Sequence, residues 1–180
     1  MTATLVIGID PDASGAIAFL TPAGELLAVE DMPMDTVQVG KHSRSRTAVP
    51  RLLALLKDAA GAHAFVERPT FRPMKRRDPA TGVVTEVSMG VAGAGAMGEK
   101  YGCVITALAA SGAALTEVRP GVWGAAIGLK GGKDDARRMA ANLFPAHAER
   151  FARVKDDGRA DAALIGYYGA RQLRGDRRVA

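Results

Sequence analysis

Four acids, Asp10, Glu67, Asp157 and Asp161, stand where residue type and spacing could do chemistry. Asp10 closes the apolar run "VIGID" and is followed by Pro11, Asp12 and Gly15; Glu67 closes "AHAFVE" in the same way. A charged side chain at the end of a buried strand is costly unless something positive compensates it. A metal ion, a phosphate held through a metal, or a structural arginine would do so. Asp157 and Asp161 are four residues apart in "DDGRADAALIGYYG", a spacing that puts both on one helix face near its N-terminus. Asp156 competes with Asp157 for that position, and either could serve instead as the helix N-cap. Acids gathered in this number repel one another. One or two Mg²⁺ ions, which take carboxylate oxygens and retain waters, relieve the repulsion, and Mn²⁺ could substitute. Two such ions ~3.5–4 Å apart activate a water and stabilise the leaving oxygen of a phosphodiester. The expected chemistry is therefore metal-assisted phosphodiester hydrolysis.

The elements around these acids must bring them together. "TLVIGID", "GAIAFLT" and "LLAVEDM" read as three short strands, with "PAGE" turning the second into the third, so the start of the chain is an antiparallel meander. "VPRLLALLKDAAG" reads as a helix with Pro50 in its first turn and Gly61 stopping it. "AHAFVE" and "ALTEVRP" are further strands, and "KDDARRMAANLF" and the segment from Asp156 to Arg174 are helices. Between them lies "SMGVAGAGAMGEKYGCVITALAASG", Ser88 to Gly112, whose glycines each cost a helix about 1 kcal/mol relative to alanine. Tight packing of that helix across a sheet would justify them. The pattern is α/β, with a mixed five-stranded sheet whose first three strands pair antiparallel, flanked by helices in one domain spanning residues 1–180. Strand-end acids then lie on the side where α/β sheets gather ligands, and strands ~5 Å apart allow Asp10 and Glu67 to share a cation.

Two segments read as basic loops. Residues 32–47 carry Lys41, Arg44 and Arg46 without an intervening acid in "GKHSRSR", and residues 68–87 carry Arg68, Arg72, Lys75, Arg76 and Arg77 within ten residues. Both could hold backbone phosphates beside a cut, in a salt-dependent way. The whole chain has 24 Lys+Arg against 19 Asp+Glu, an excess of +5 that mildly favours a polyanionic partner. Its one cysteine, Cys103, excludes an internal disulfide, and His42, His63 and His147 are too scattered for a zinc site. No signal-peptide pattern and no apolar run of ~18 residues is present, so a cytoplasmic chain without membrane contact is expected. Phe71 reads more readily as a loop-anchoring core residue than as a base-stacking one, and Trp123 reads as a packing residue.

These blocks together resemble the RuvC-like Holliday junction resolvases of the ribonuclease H superfamily. "GIDPDASGAIA" is similar to their opening strand and turn, "FVERP" to their glutamate strand, and "MGEKYGCVITALAASG" to their glycine-spaced helix. "VRPGVWGAAIGLKGGKDDARRMAANLFP" is similar to the strand, turn and lysine-bearing helix, and "RADAALIGYYG" to the final catalytic helix. The resemblance runs from about Leu5 to Gly169. It implies a ribonuclease H-like fold and a magnesium-dependent nuclease, of bacterial or phage origin, that resolves branched DNA by paired cuts as a homodimer. It further implies that Asp10, Glu67 and Asp161 bind the metal with Asp157 as fourth member, that Lys133 lies near the scissile phosphate, and that Phe71 wedges into the junction. The bacterial cellular form usually has glycine where Asp12 stands and spaces its last acidic pair by three. The spacing of four here is more similar to the chloroplast-type and phage-related branches, and Asp156 remains the competitor of Asp157.

Three other readings compete. An actin-like nucleotide-binding enzyme shares a strand, acid and glycine opening, but needs two such domains and a second phosphate loop, so no nucleotide cofactor is expected. A nuclease of the same fold that processes RNA ends, and a non-catalytic nucleic-acid-binding module, differ from a resolvase in substrate and in metal response.

Overall fold

The computed structural model describes residues 4–71 and 74–176, with the backbone alone for 74–76. The chain opens with the meander expected of it: β1 (Val6–Asp10), β2 (Ala16–Leu20) and β3 (Leu26–Asp31) pair antiparallel, Asp10 opposite Ala16 and Ala16 opposite Asp31. The next two strands, β4 (Met34–Val39) and β5 (His42–Thr47), form a separate hairpin with Val39 opposite His42. This corrects the expectation of a mobile loop over 32–47. The alternation in "MDTVQV" supports one strand, and the sequence "HSRSRT" hides its partner because its side chains are nearly all solvated. Helix α1 spans only Val49–Leu55, with Pro50 in its first turn, and the chain leaves it well before Gly61 through successive turns.

Strand β6 (His63–Glu67) then lies parallel to β1, His63 opposite Val6. The segment 68–87, also expected to be a loop, contains a second small hairpin of β7 (Met74–Arg77) and β8 (Val84–Val87). Its turn is made by Asp78, whose carboxylate accepts the Ala80 and Thr81 N–H groups at 2.7 and 3.1 Å. Helix α2 (Val91–Ser111) follows, and β9 (Ala114–Val118) runs parallel to β6 with Val118 opposite Glu67. Short α3 (Pro120–Ala126), α4 (Lys133–Leu143), two 3₁₀ turns (Pro145–Phe151 and Val154–Asp156) and α5 (Asp157–Arg174) complete the chain.

The main sheet has the order β3-β2-β1-β6-β9, mixed and five-stranded as the sequence predicts. Alternation along β1 divides its residues between two cores. Val6 joins Leu20, Phe65, Leu164 and Ile165 beneath α5, while Ile7 and Ile9 join Leu52, Val66, Val104 and Leu108 beneath α1 and α2. Burying each of these apolar side chains contributes ~1.5–3 kcal/mol. No helix among the described residues is long and apolar enough to cross a membrane.

The tight backbone approach expected of α2 belongs to α5. A Cβ added to Gly8 of β1 would lie 2.1 Å from the Ala162 carbonyl oxygen and 2.3 Å from the Gly166 nitrogen. On α2, by contrast, Gly95, Gly98 and Gly102 have nothing within 4 Å, and the buried residues Val104, Ala107 and Leu108 all fall in its second half.

Candidate active site

Asp10 ends β1, and the turn after it is fixed locally. The Asp12 N–H donates to the Asp10 carboxylate at 3.2 Å, and the Gly15 N–H donates to the Asp12 carbonyl at 3.0 Å. The first turn of α5 docks on this turn: a Cβ at Gly158 would fall 2.0 Å from the Ser14 carbonyl oxygen, so only glycine lets the helix come so close. That contact carries Asp157 and Asp161 to the end of β1. Glu67 arrives on the neighbouring parallel strand, and Lys133 arrives at the head of α4. The chain before Lys133 turns through Gly131 and Gly132, at φ +137° and +77°, a conformation that side-chain-bearing residues rarely adopt. Asp10, Glu67, Asp157, Asp161 and Lys133 all line one open cleft of about 370 Å³.

The acids differ in their electrostatics. Burial pushes the Asp10 carboxyl up to about 7; the Asp12 N–H opposes this, and the charges of Asp12, Asp161 and Asp157 add to it. Burial and then the charges of Asp10, Asp161 and Asp12 push Glu67 up to about 8. Asp161 rises to about 6 through burial and Asp157, with Lys133 opposing. Burial acts to raise Asp157 as well, but the hydrogen bond and charge of Lys133 outweigh it and hold this carboxyl below its usual range. Lys133 is raised in turn, chiefly by the same hydrogen bond, and its side chain stays largely in solvent at the cleft mouth.

Geometry separates Asp156 from Asp157, since only Asp157 lines the cleft. Asp156 is buried and turned away from the cleft, accepting from Arg153 Nη2 at 2.8 Å and from the Arg153 backbone N–H at 2.9 Å, with Arg159 at 3.5 Å. Arg159 also clasps Asp31 at 2.5 and 2.6 Å. A structural arginine is thus the compensating charge at Asp156. Asp10, Glu67 and Asp161 form no ion pair among the described residues, and their carboxylates destabilise one another.

Among the described residues no group of three or more His, Cys, Asp or Glu side chains is placed to hold a metal ion. The acids converge on one cleft without closing around a point. The donor set nevertheless suits a hard divalent cation: all oxygen, half-buried, mutually repelling, and with Lys133 the one cation paired to it among the described residues.

The basic residues are more dispersed than the acids. Arg68 lines the cleft, donating its backbone N–H to the Val118 carbonyl at 2.7 Å. Phe71 is 56% exposed, so it does not anchor its loop in the core. Arg77 is exposed on the β7–β8 hairpin, its Nε donating to the Gly82 carbonyl at 3.3 Å. Arg72 lies outside the described residues, as do the side chains of Lys75 and Arg76. Arg44 and Arg46 are exposed on β5 and do not line the cleft; Arg46 pairs with Glu99 of α2 at 2.5 Å. Reasoning from the sequence did not place Asp12, Ser14, Met89 or Met97 at the cleft, which all four line. For Asp12 the signal was its spacing of two from Asp10; for the methionines there was none.

By sequence, the chain matches no protein-family model and no curated protein. By structure it is similar to RuvC of Thermus thermophilus. RuvC in complex with a Holliday junction substrate superposes with a TM-score of 0.56 at 16% identity, over 97% of this chain and 98% of that one. Another Thermus thermophilus RuvC structure gives 0.51 at 14% identity, with the same coverage. At these identities the likeness is one of fold, and the fold is ribonuclease H-like.

Proposed function

We propose that the chain is a magnesium-dependent endodeoxyribonuclease that resolves four-way DNA junctions by paired, symmetric phosphodiester cuts, acting as a homodimer. The observation that carries this reading is the convergence of Asp10, Glu67 and Asp161, half-buried and mutually repelling, with the Asp157–Lys133 pair in one open cleft. The fold likeness to a RuvC that binds a Holliday junction supports the choice of substrate.

Asp10, Glu67 and Asp161 would hold Mg²⁺, or Mn²⁺ in its place, with Asp157 as the fourth acid. Bound there, the metal supplies an activated water and stabilises the charge on the leaving oxygen. The protein's own groups do the rest. Lys133, tethered to Asp157 but largely in solvent, can swing its ammonium to a phosphate oxygen at the cleft mouth. Arg68 meets a flanking phosphate at the rim, and the exposed ring of Phe71 is free to stack on an unpaired base, a contact worth ~1–3 kcal/mol. Arg44, Arg46, Arg72, Lys75, Arg76 and Arg77 would add backbone phosphate contacts whose strength falls with salt. A second copy of the chain provides the second cut.

The test is to incubate the protein with a synthetic four-way junction and with the matching linear duplex, each with and without Mg²⁺. Cutting of the junction alone, dependent on metal and abolished by Asp10→Asn while junction binding persists, is the expected result. Equal cutting of duplex would make it a general nuclease; binding without cutting would leave a nucleic-acid-binding module; cutting only RNA would make it an RNA-processing relative. Glu67→Gln and Asp161→Asn should each cost as much as the pair together, because ligands of one centre act as a unit.

A further inference from the structure

Trp123 presents a buried hydrogen-bond donor that meets no acceptor in hydrogen-bond geometry. Its residue is 4% exposed and its indole Nε1 is sealed from solvent, yet this atom has no hydrogen-bond partner among the described residues. Tryptophan has one polar atom, a donor only, and a buried donor left unpaired carries its full desolvation penalty. Phenylalanine would fill the same apolar space without that penalty, so packing alone does not explain the indole. The topology shows what the donor is near. Val118 of β9 lies opposite Glu67 of β6, and α3 starts two residues later at Pro120, which lines the acidic cleft. Trp123 sits one helical turn into α3, beside the end of the strand that carries Glu67.

We infer that Trp123 is the positioning residue for Glu67, its Nε1–H donating to one carboxylate oxygen and turning the other into the cleft. Val118, opposite Glu67 in the sheet, lies five residues before Trp123, and the indole is near enough to exert a small influence on the Glu67 carboxyl, opposed to that of burial, while the two groups stand outside full hydrogen-bond geometry. Ionisation or cation binding at Glu67 favours closing it, since a charged acceptor makes the stronger bond. Carboxylates that ligate metals are commonly held by such outer hydrogen bonds, and removing one typically weakens the metal site 10–100-fold. The consequence for metal rests on the metal-nuclease reading; the contact between Trp123 and Glu67 does not.

Trp123 is the only tryptophan in the chain, so ¹⁵N-labelled protein gives a single indole N–H resonance. In the full chain without metal, Glu67→Gln should move that resonance strongly, and Asp161→Asn, which alters charge in the same cleft, should move it little. Equal small shifts from both variants would overturn the inference. In a second arm, Mg²⁺ is titrated and the melting temperature followed. Trp123→Phe, which keeps the ring and loses the N–H, should require roughly 10-fold more Mg²⁺ for half the stabilisation. An unchanged Mg²⁺ midpoint would also overturn it. If Trp123→Phe does not fold, the resonance comparison decides. If Mg²⁺ leaves the wild-type melting temperature unmoved, the metal-nuclease reading fails, and the indole resonance still decides the contact.

Discussion

Helices α2 and α5 are written in nearly the same alphabet, small residues broken by glycine, and the fold uses them in opposite ways. In α5 the ten buried residues include Gly158, Gly166 and Gly169, each pressed against another part of the chain. Gly158 meets the Ser14 carbonyl, Gly166 meets Leu20, and Gly169 meets the face of Phe65, whose Cδ2 would be 2.2 Å from an added Cβ. In α2 the glycines at 95, 98 and 102 look onto open space. What decides the role of a glycine is therefore the surface opposite it. For α5 that surface is the middle of the sheet, β1 with its flanking strands β2 and β6 and the turn after β1, and close approach there is what brings Asp157 and Asp161 to Asp10.

The contrast is most exposed to failure at Gly8. A methyl group at this position meets only backbone, the Ala162 carbonyl and Gly166 nitrogen, none of which can rotate away. Gly8→Ala should cost at or above the top of the ~1–3 kcal/mol range for an overpacked core, and urea unfolding should show a large fall in midpoint. A wild-type midpoint would mean that α5 does not sit where its packing requires. Gly166→Ala should cost less, ~1–2 kcal/mol, because its methyl would meet first the Leu20 Cδ1 atom, the far end of a side chain that can re-rotamer. The order of these two substitutions, more than either value, tests whether backbone or side chain sets the limit.

Much of this arrangement was legible from the sequence. The meander from β1 to β3, the five-stranded mixed sheet and the strand-end positions of Asp10 and Glu67 follow from period-two alternation closed by an acid, a strong local signal. The two hairpins were not legible, because their strands are short, polar and nearly wholly exposed, so no apolar face marks them. Asp156 and Asp157 were inseparable in the sequence for another reason. Adjacent residues on a helix differ by about 100° in direction, and what each meets, Arg153 for one and the cleft for the other, is set by distant packing. The glycines of α2 invited a packing explanation that belongs to α5, since sequence shows the small residues but not their partners.

A gentler test uses charge. The grip of α5 on β1 holds together carboxyls that repel, and α2 has no comparable burden. Asp10, Glu67 and Asp161 have values of about 7, about 8 and about 6 in the folded chain against 3.8, 4.5 and 3.8 ordinarily. The native state therefore binds more protons than the unfolded one between those values, and its stability falls as pH rises from about 4 to about 8. Without metal, the melting temperature should decline across this window. Asp10→Asn, which mimics the neutral acid, should flatten the decline and raise the melting temperature at pH 8 by several degrees, while changing little at pH 5. Mg²⁺ should do the same for the wild type. A melting temperature that rises from pH 5 to pH 8 in metal-free protein would show that the acids are already compensated.

The smallest effect, and the reverse of the first, is expected on α2. Gly95 and Gly98 are exposed, lie inside the helix and would meet nothing within 4 Å on gaining a methyl group. Alanine there removes backbone freedom from the unfolded chain without adding a clash, so each substitution should stabilise by roughly 0.5–1 kcal/mol, and the two should add. The same change that breaks the sheet-facing glycines thus strengthens the solvent-facing ones. Chemical denaturation at low protein concentration, paired with light scattering across a concentration series, separates two outcomes. A gain in stability with unchanged self-association means that the face is bare in solution. A gain at low concentration that turns into a loss as concentration rises means that a second copy packs there and needs the glycines as α5 needs its own. A loss at every concentration would contradict the contrast between the helices outright, because it would require a contact within the chain at glycines that meet nothing within 4 Å among the described residues.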